Sequence, residues 1–170
     1  MAQVEIALEN YEAAEAHLGE CDALCDARPV GMPTYVAGNR LYWSITAAAQ
    51  GEMADAWEHV RFELEAAVRR QDRLNLANAL AASAFISATE NEVALAVERY
   101  ALARQHQFVA HSHWFEDVVG KPVQAAANSL PPAKIDGIQG RSAATDLETA
   151  AAVMLAQFDP PPQYLPEIRC

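Results

Sequence analysis

The chain has 170 residues, 52% of them apolar but only 8% aromatic, with 23 Asp and Glu against 12 Lys and Arg and a net charge of −11. That length fits one domain, or one short array of repeats, able to bury a core without staples. The acidity argues against a surface built to hold nucleic-acid phosphates and against anionic membranes, so neither is expected as a partner.

The excess of acid is uneven: residues 1–60 hold 10 acidic and 2 basic side chains. The chain opens MAQVEIALEN, where Glu5 and Glu9 interrupt any apolar run. No signal-like core or membrane-length stretch follows, and a cytoplasmic setting is expected. Cys21, Cys25 and Cys170 do not make a secreted disulfide framework. Cys21 and Cys25 share a helix face, but no second ligand pair completes a zinc site.

A 3.6-residue period runs through most of the sequence. In 11–27, Tyr11, Ala14, Leu18, Cys21 and Cys25 form one apolar stripe. Arg28-Pro29 and Gly31-Met32-Pro33 are expected to end that helix, and Thr34 to cap the next, 35–49, which carries Val36, Leu41, Trp43, Ile45 and Ala48. Gln50-Gly51 breaks it. Residues 52–70 are the clearest helix, with acids at its start and Arg69 and Arg70 at its end. Asp72 is placed to cap 73–88, and Asn91 to cap 92–106. Gly120 and Pro122 are expected to turn the chain after a short helix around Trp114. Short helices at 122–129 and 132–139, a last helix at 143–158, and an extended tail beginning at Asp159-Pro160-Pro161-Pro162 complete the reading. No segment alternates with period two, so the fold class is all-α.

Three segments align without gaps: Tyr11, Met53 and Val93; Ala14, Ala56 and Ala96; Leu18, Val60 and Tyr100, at spacings of 42 and 40 residues. The unit is a helix, a tight turn at Gly51 or Asn91, and a second helix. Alanine in the middle column lets two backbones approach, and the large residue four positions on fills the neighbour's groove. A hairpin that cannot bury both faces must stack on another. The expected domain is 1–158, with repeats at about 1–28, 34–71 and 73–107 and a helical cap at 109–158, followed by the Pro-rich tail 159–170.

This pattern resembles the second helix of tetratricopeptide repeats, in a longer and divergent form. Residues 100–123, YALARQHQFVAHSHWFEDVVGKPV, with Leu130-Pro131-Pro132 and Arg141, resemble the C-terminal end of tetratricopeptide-like regions in large bacterial signalling proteins: STAND-type ATPases, cyclase-linked ATPases and LuxR-type regulators. The resemblance covers about residues 10–157 and is sharpest at Trp114-Phe115-Glu116-Asp117-Val118 with Gly120. It implies a stacked solenoid that serves as a sensor or scaffold rather than as the catalytic part.

Sites for chemistry are sparse. His106, His111, His113 and Glu116 could hold a metal with an open position, as a hydrolase requires, but no HExxH spacing directs them together. Cys21 with His17 is an imaginable thiolate–imidazolium pair in an acidic setting that disfavours it. No GxSxG and no Gly-rich phosphate loop occurs. Arg61, Arg69, Arg70 and Arg73 form the one basic cluster, suited to Glu65 or Asp72. The inner face of a hairpin array is lined by first helices. On that face Asn39, Arg40, Tyr42, Trp43, Thr46, Asn75, Asn78 and Ser83 are the candidate partner-binding residues. The expected function is a non-enzymatic, cofactor-free scaffold or sensor that binds a protein or peptide. The alternatives are a metal-dependent enzyme at His106–Glu116, a self-associating homodimer, or a carrier of a modified tail ending in Cys170.

Overall fold

The computed structural model describes residues 1–26 and 33–158, the side chains of 26 and 33–38 excepted. The expected break at Arg28-Pro29 and Gly31-Met32, the role of Val36, and the tail 159–170 with Cys170 lie outside those residues. Among the described residues the structure is all helical, without a strand. In chain order the helices are α1 (Ala2–Ala7), α2 (Tyr11–Asp26), α3 (Pro33–Ala49), α4 (Met53–Arg70), α5 (Arg73–Thr89) and α6 (Val93–Ala103). Then come α7 (Gln107–Ala110), α8 (His113–Phe115), a π-turn (Glu116–Gly120), α9 (Lys121–Ala127), α10 (Pro132–Ala143) and α11 (Leu147–Leu155).

The three aligned segments have one turn geometry. Glu9, Gly51 and Asn91 occupy the same column, and all three have positive φ, 60°, 86° and 61°. In each turn the next residue's N–H reaches back five residues: Asn10 to Glu5, Glu52 to Ala47 and Glu92 to Ser87, at 2.8–2.9 Å. This left-handed C-cap satisfies carbonyls that a helix end leaves open. The following helix starts identically, with Ala14, Ala56 and Ala96 each donating to the carbonyl four residues back at 3.0 Å. Asn91 therefore serves the turn through its backbone, not as a cap; Glu92 holds the cap position. Gln71 repeats the left-handed cap (φ 54°) between α4 and α5, and Asp72 caps α5 by accepting from the N–H of Asn75 at 3.2 Å.

Helices pair across these turns: α1 with α2, α3 with α4, α5 with α6. First helices also pack on one another, α1 on α3 and α3 on α5. The alanine column lies inside these pairings. Ala14, Ala56 and Ala96 are each 0% exposed, and Leu18, Val60 and Tyr100 are buried beside them. A branched side chain has no room there. Ala96→Leu should lower the unfolding free energy by about 1–3 kcal/mol in urea titration. Ala14→Leu should cost less, because its partner α1 is only six residues long and can shift.

α5 is the centre. Every residue from Asn75 to Ser87 is buried. A helix buried on all sides needs neighbours on all sides, and the C-terminal third supplies them. α7, the π-turn and α9 pack on one side of α5, and α11 packs against α4, α5 and α6. The Trp114 indole reaches α1, donating to the Gln3 carbonyl at 2.8 Å, and meets the Tyr42 ring edge-on at 5.4 Å.

Two sequence expectations change here. α3 begins at Pro33, so Thr34 lies in its first turn rather than capping it; proline is favoured at a first helical position because its missing N–H has no partner to lose. Nor do Gly120 and Pro122 turn the chain. The helix runs on from α8 through the π-turn into α9, with Gly120 helical at φ −62° and ψ −48°. The widened π register ends just before Pro122, where the proline would otherwise interrupt the hydrogen-bond ladder.

Candidate functional site

A cleft of about 190 Å³ lies between α2, α3 and α4. Its floor is Trp43, Thr46 and Ala47 of α3. Its rim is Glu15 of α2, Glu52 before α4, and Asp55, Glu58 and His59 of α4. The walls are tied by hydrogen bonds. Asp22 of α2 accepts from the Trp43 indole at 3.0 Å and from the Asn39 amide at 3.2 Å; that amide also reaches the Cys21 sulfur at 3.1 Å. The His59 ring stacks on Trp43 at 5.7 Å and 29°.

Arg40 determines the state of His59. Its Nη1 lies 3.2 Å from His59 Nδ1. Guanidinium only donates, so Nδ1 must accept and the ring proton sits on Nε2. Burial first, and then the Arg40 charge, hold His59 below the usual imidazole value, consistent with a neutral ring. The Arg40 guanidinium also lies 5.0 Å over the Phe62 ring.

Thr46 stands out in this cleft. It is 1% exposed and its hydroxyl has no hydrogen-bond partner. Buried hydroxyls in helices normally bond the preceding turn, as Ser44 and Ser83 do with the carbonyls of Leu41 and Leu80, both at 2.8 Å. On the rim, Glu58 is held by Arg61, a contact that lowers its carboxyl below the ordinary range. Arg61 also pairs with Glu65 at 2.8 Å, as the sequence suggests for the basic cluster.

The eight candidate residues therefore do not form one exposed face. Trp43 and Thr46 line the cleft, and Asn39 and Arg40 brace its walls. Tyr42 instead receives the Gln3 amide and packs on Trp114. Asn75, Asn78 and Ser83 lie inside: the Asn75 amide donates to Asp72 at 2.9 Å, the Asn78 amide to Asn75 at 3.3 Å, and Ser83 to its own helix. Sequence reasoning did not select Glu15, Asp55, Glu58 or His59. The repeat alignment carries the signal, since Asp55 and His59 fall in the columns of Leu95 and Arg99.

A second cleft, of about 430 Å³, opens between α6, α9 and α10. The Tyr100 hydroxyl lies 3.3 Å from both the Phe115 carbonyl and the Glu116 carboxylate. Burial, followed by the Glu116 charge, pushes this phenol up to about 12. A Cβ on Gly120 would come within 2.8 Å of that hydroxyl, so the glycine lets the π-turn close on Tyr100. The residues of the alternative metal reading are dispersed here. His106 Nδ1 accepts from the N–H of Phe108 at 3.3 Å, His111 and His113 are exposed, and Glu116 faces Tyr100. Among the described residues no three metal-ligating side chains converge, and no helix is long and apolar enough to cross a membrane.

No family model, no curated protein and no solved structure matches the chain.

Proposed function

We propose that the protein is a non-enzymatic, tetratricopeptide-like helical-repeat module that binds a protein or peptide segment, as a scaffold or sensor in a bacterial signalling system. The repeat reading is supported by three turns that share one left-handed column and one buried alanine column. The binding reading is carried by the α2–α3–α4 cleft, which combines an aromatic floor, a braced wall and a buried hydroxyl lacking a partner. A buried polar group left unsatisfied costs about 1–3 kcal/mol, which a ligand could recover by bonding to it.

Selection of displayed random peptides on the full chain tests this reading. Selected peptides should bind with Trp43→Ala weakening them about tenfold or more, as removal of a central aromatic anchor does. The variant's thermal unfolding shows whether the fold survives. A folded Trp43→Ala protein that binds undiminished, or a selection without binders, overturns the cleft as the binding site.

A further inference from the structure

The protein contains its own example of a helix seated between two second helices. α11 lies against α4, α5 and α6 and buries Leu147, Ala151 and Met154, a stripe at i, i+4 and i+7. It runs alongside α5. Glu148 at its start pairs with Arg73 at the start of α5. Phe158, just beyond its end, meets Trp57 at 6.0 Å, and the Trp57 indole donates to Glu90 at the end of α5.

One repeat earlier, α4, α5 and α6 become α2, α3 and α4. The 40-residue step carries Leu95, Glu98 and Arg99, which face α11, onto Asp55, Glu58 and His59. The 42-residue step carries Trp57 onto Glu15. These are the rim residues of the α2–α3–α4 cleft. The cleft is thus the counterpart of the α11 seat. Its chemistry differs in one direction: Leu95 becomes Asp55, Trp57 becomes Glu15, and in the first helix Ile86 becomes Thr46. Among the described residues no cation pairs with Glu15, Glu52 or Asp55.

Resting on the binding reading above, we propose that the cleft seats a basic amphipathic helix of a partner protein. Small apolar residues at i, i+4 and i+7 would lie along α3. Flanking Lys or Arg would meet Glu15 on one side and Asp55 on the other, and one polar group would bond the Thr46 hydroxyl. Charge complementarity selects the partner and speeds encounter. A second copy's α11 is the wrong occupant, because Asp146 and Glu148 make its first turn acidic and residues 146–158 contain no Lys or Arg.

The probe is a fluorescent peptide of residues 144–158 carrying E148K, A152K, V153K and Q157K, positions that flank the Leu147–Ala151–Met154 stripe on both sides, beside a twin with Glu at those four positions. Fluorescence polarisation with the full chain should show the lysine peptide binding at least about tenfold tighter than the twin, with affinity falling as salt rises. The exposed pair Glu15→Lys and Asp55→Lys should erase that preference. Equal binding of the two peptides, no binding of the lysine peptide, or indifference to Glu15→Lys/Asp55→Lys overturns the proposal. If selected peptides bind through Trp43 but are acidic or extended, this proposal falls and the binding module stands. If no peptide of any kind depends on Trp43, both fall.

Discussion

Leu80→Ala should lower the unfolding free energy by about 2–5 kcal/mol. Leu80 is 1% exposed in the middle of α5, whose residues from Asn75 to Ser87 are all buried. A truncation there removes contacts toward several helices at once, and they cannot all move in to close the void. Leu74, two turns earlier and 36% exposed, is the control. Leu74→Ala should stay within about 1 kcal/mol. Urea unfolding of both variants, with fitted slopes compared, measures this directly. Similar costs at the two positions would mean that α5 is not enclosed and that the C-terminal helices do not pack on it in solution.

Replacing Glu63 by methionine should stabilise the protein at neutral pH by about 1–3 kcal/mol, the scale of removing an unsatisfied buried polar group. Glu63 is fully buried on α4, and neither carboxylate oxygen has a hydrogen-bond partner. Burial first, then the Asp72 charge, push its carboxyl well above the usual value of 4.5; the Arg40 charge opposes this without reversing it. The sign of the pH dependence follows. Below about pH 4.5 the group is neutral in both folded and unfolded chains. As pH rises past 4.5 the unfolded chain releases this proton first, so the folded state loses stability until its own raised value is passed. The advantage of Glu63→Met should therefore be smallest near pH 4.5, where only the unsatisfied neutral carboxyl is removed, and grow towards pH 8. Taking the difference between variant and parent at each pH cancels the titration of the other carboxylates. A destabilised variant at pH 8 would mean instead that Glu63 is ionised and held by Arg40, whose buried Nε likewise lacks a partner.

These two positions mark where sequence reading succeeded and where it stopped. Leu80 is recognisable as core from helical spacing alone. The polar residues beside it are not. Asn75, Asn78 and Ser83 look like an exposed recognition stripe because their side chains can bond a peptide. In the structure their donors bond Asp72, Asn75 and the Leu80 carbonyl, short-range partners that offset part of the cost of burial, while the Asn78 Oδ1 is buried without a partner. Glu63 gives no warning either, since a glutamate in an amphipathic helix ordinarily faces water. The cleft was half legible. Trp43 and Thr46 are recognisable as candidates in the sequence, but their rim comes from α2 and α4, and its composition emerges only when those helices are set against α3.

The helices, the hairpin turns and the alanine column are legible in the residues alone, because each rests on forces acting within a few positions: the 3.6-residue apolar period, the turn positions between helices and the small side chains that permit close approach. Tertiary structure decided which faces stayed open. α8, the π-turn and α9 fold back on the first helices, and α11 fills one groove between second helices while its counterpart one repeat earlier keeps an acidic rim. That choice depends on contacts between residues up to 111 positions apart, such as Trp114 with Gln3. No local pattern encodes such contacts, because their stability comes from surface buried jointly by segments distant in the chain.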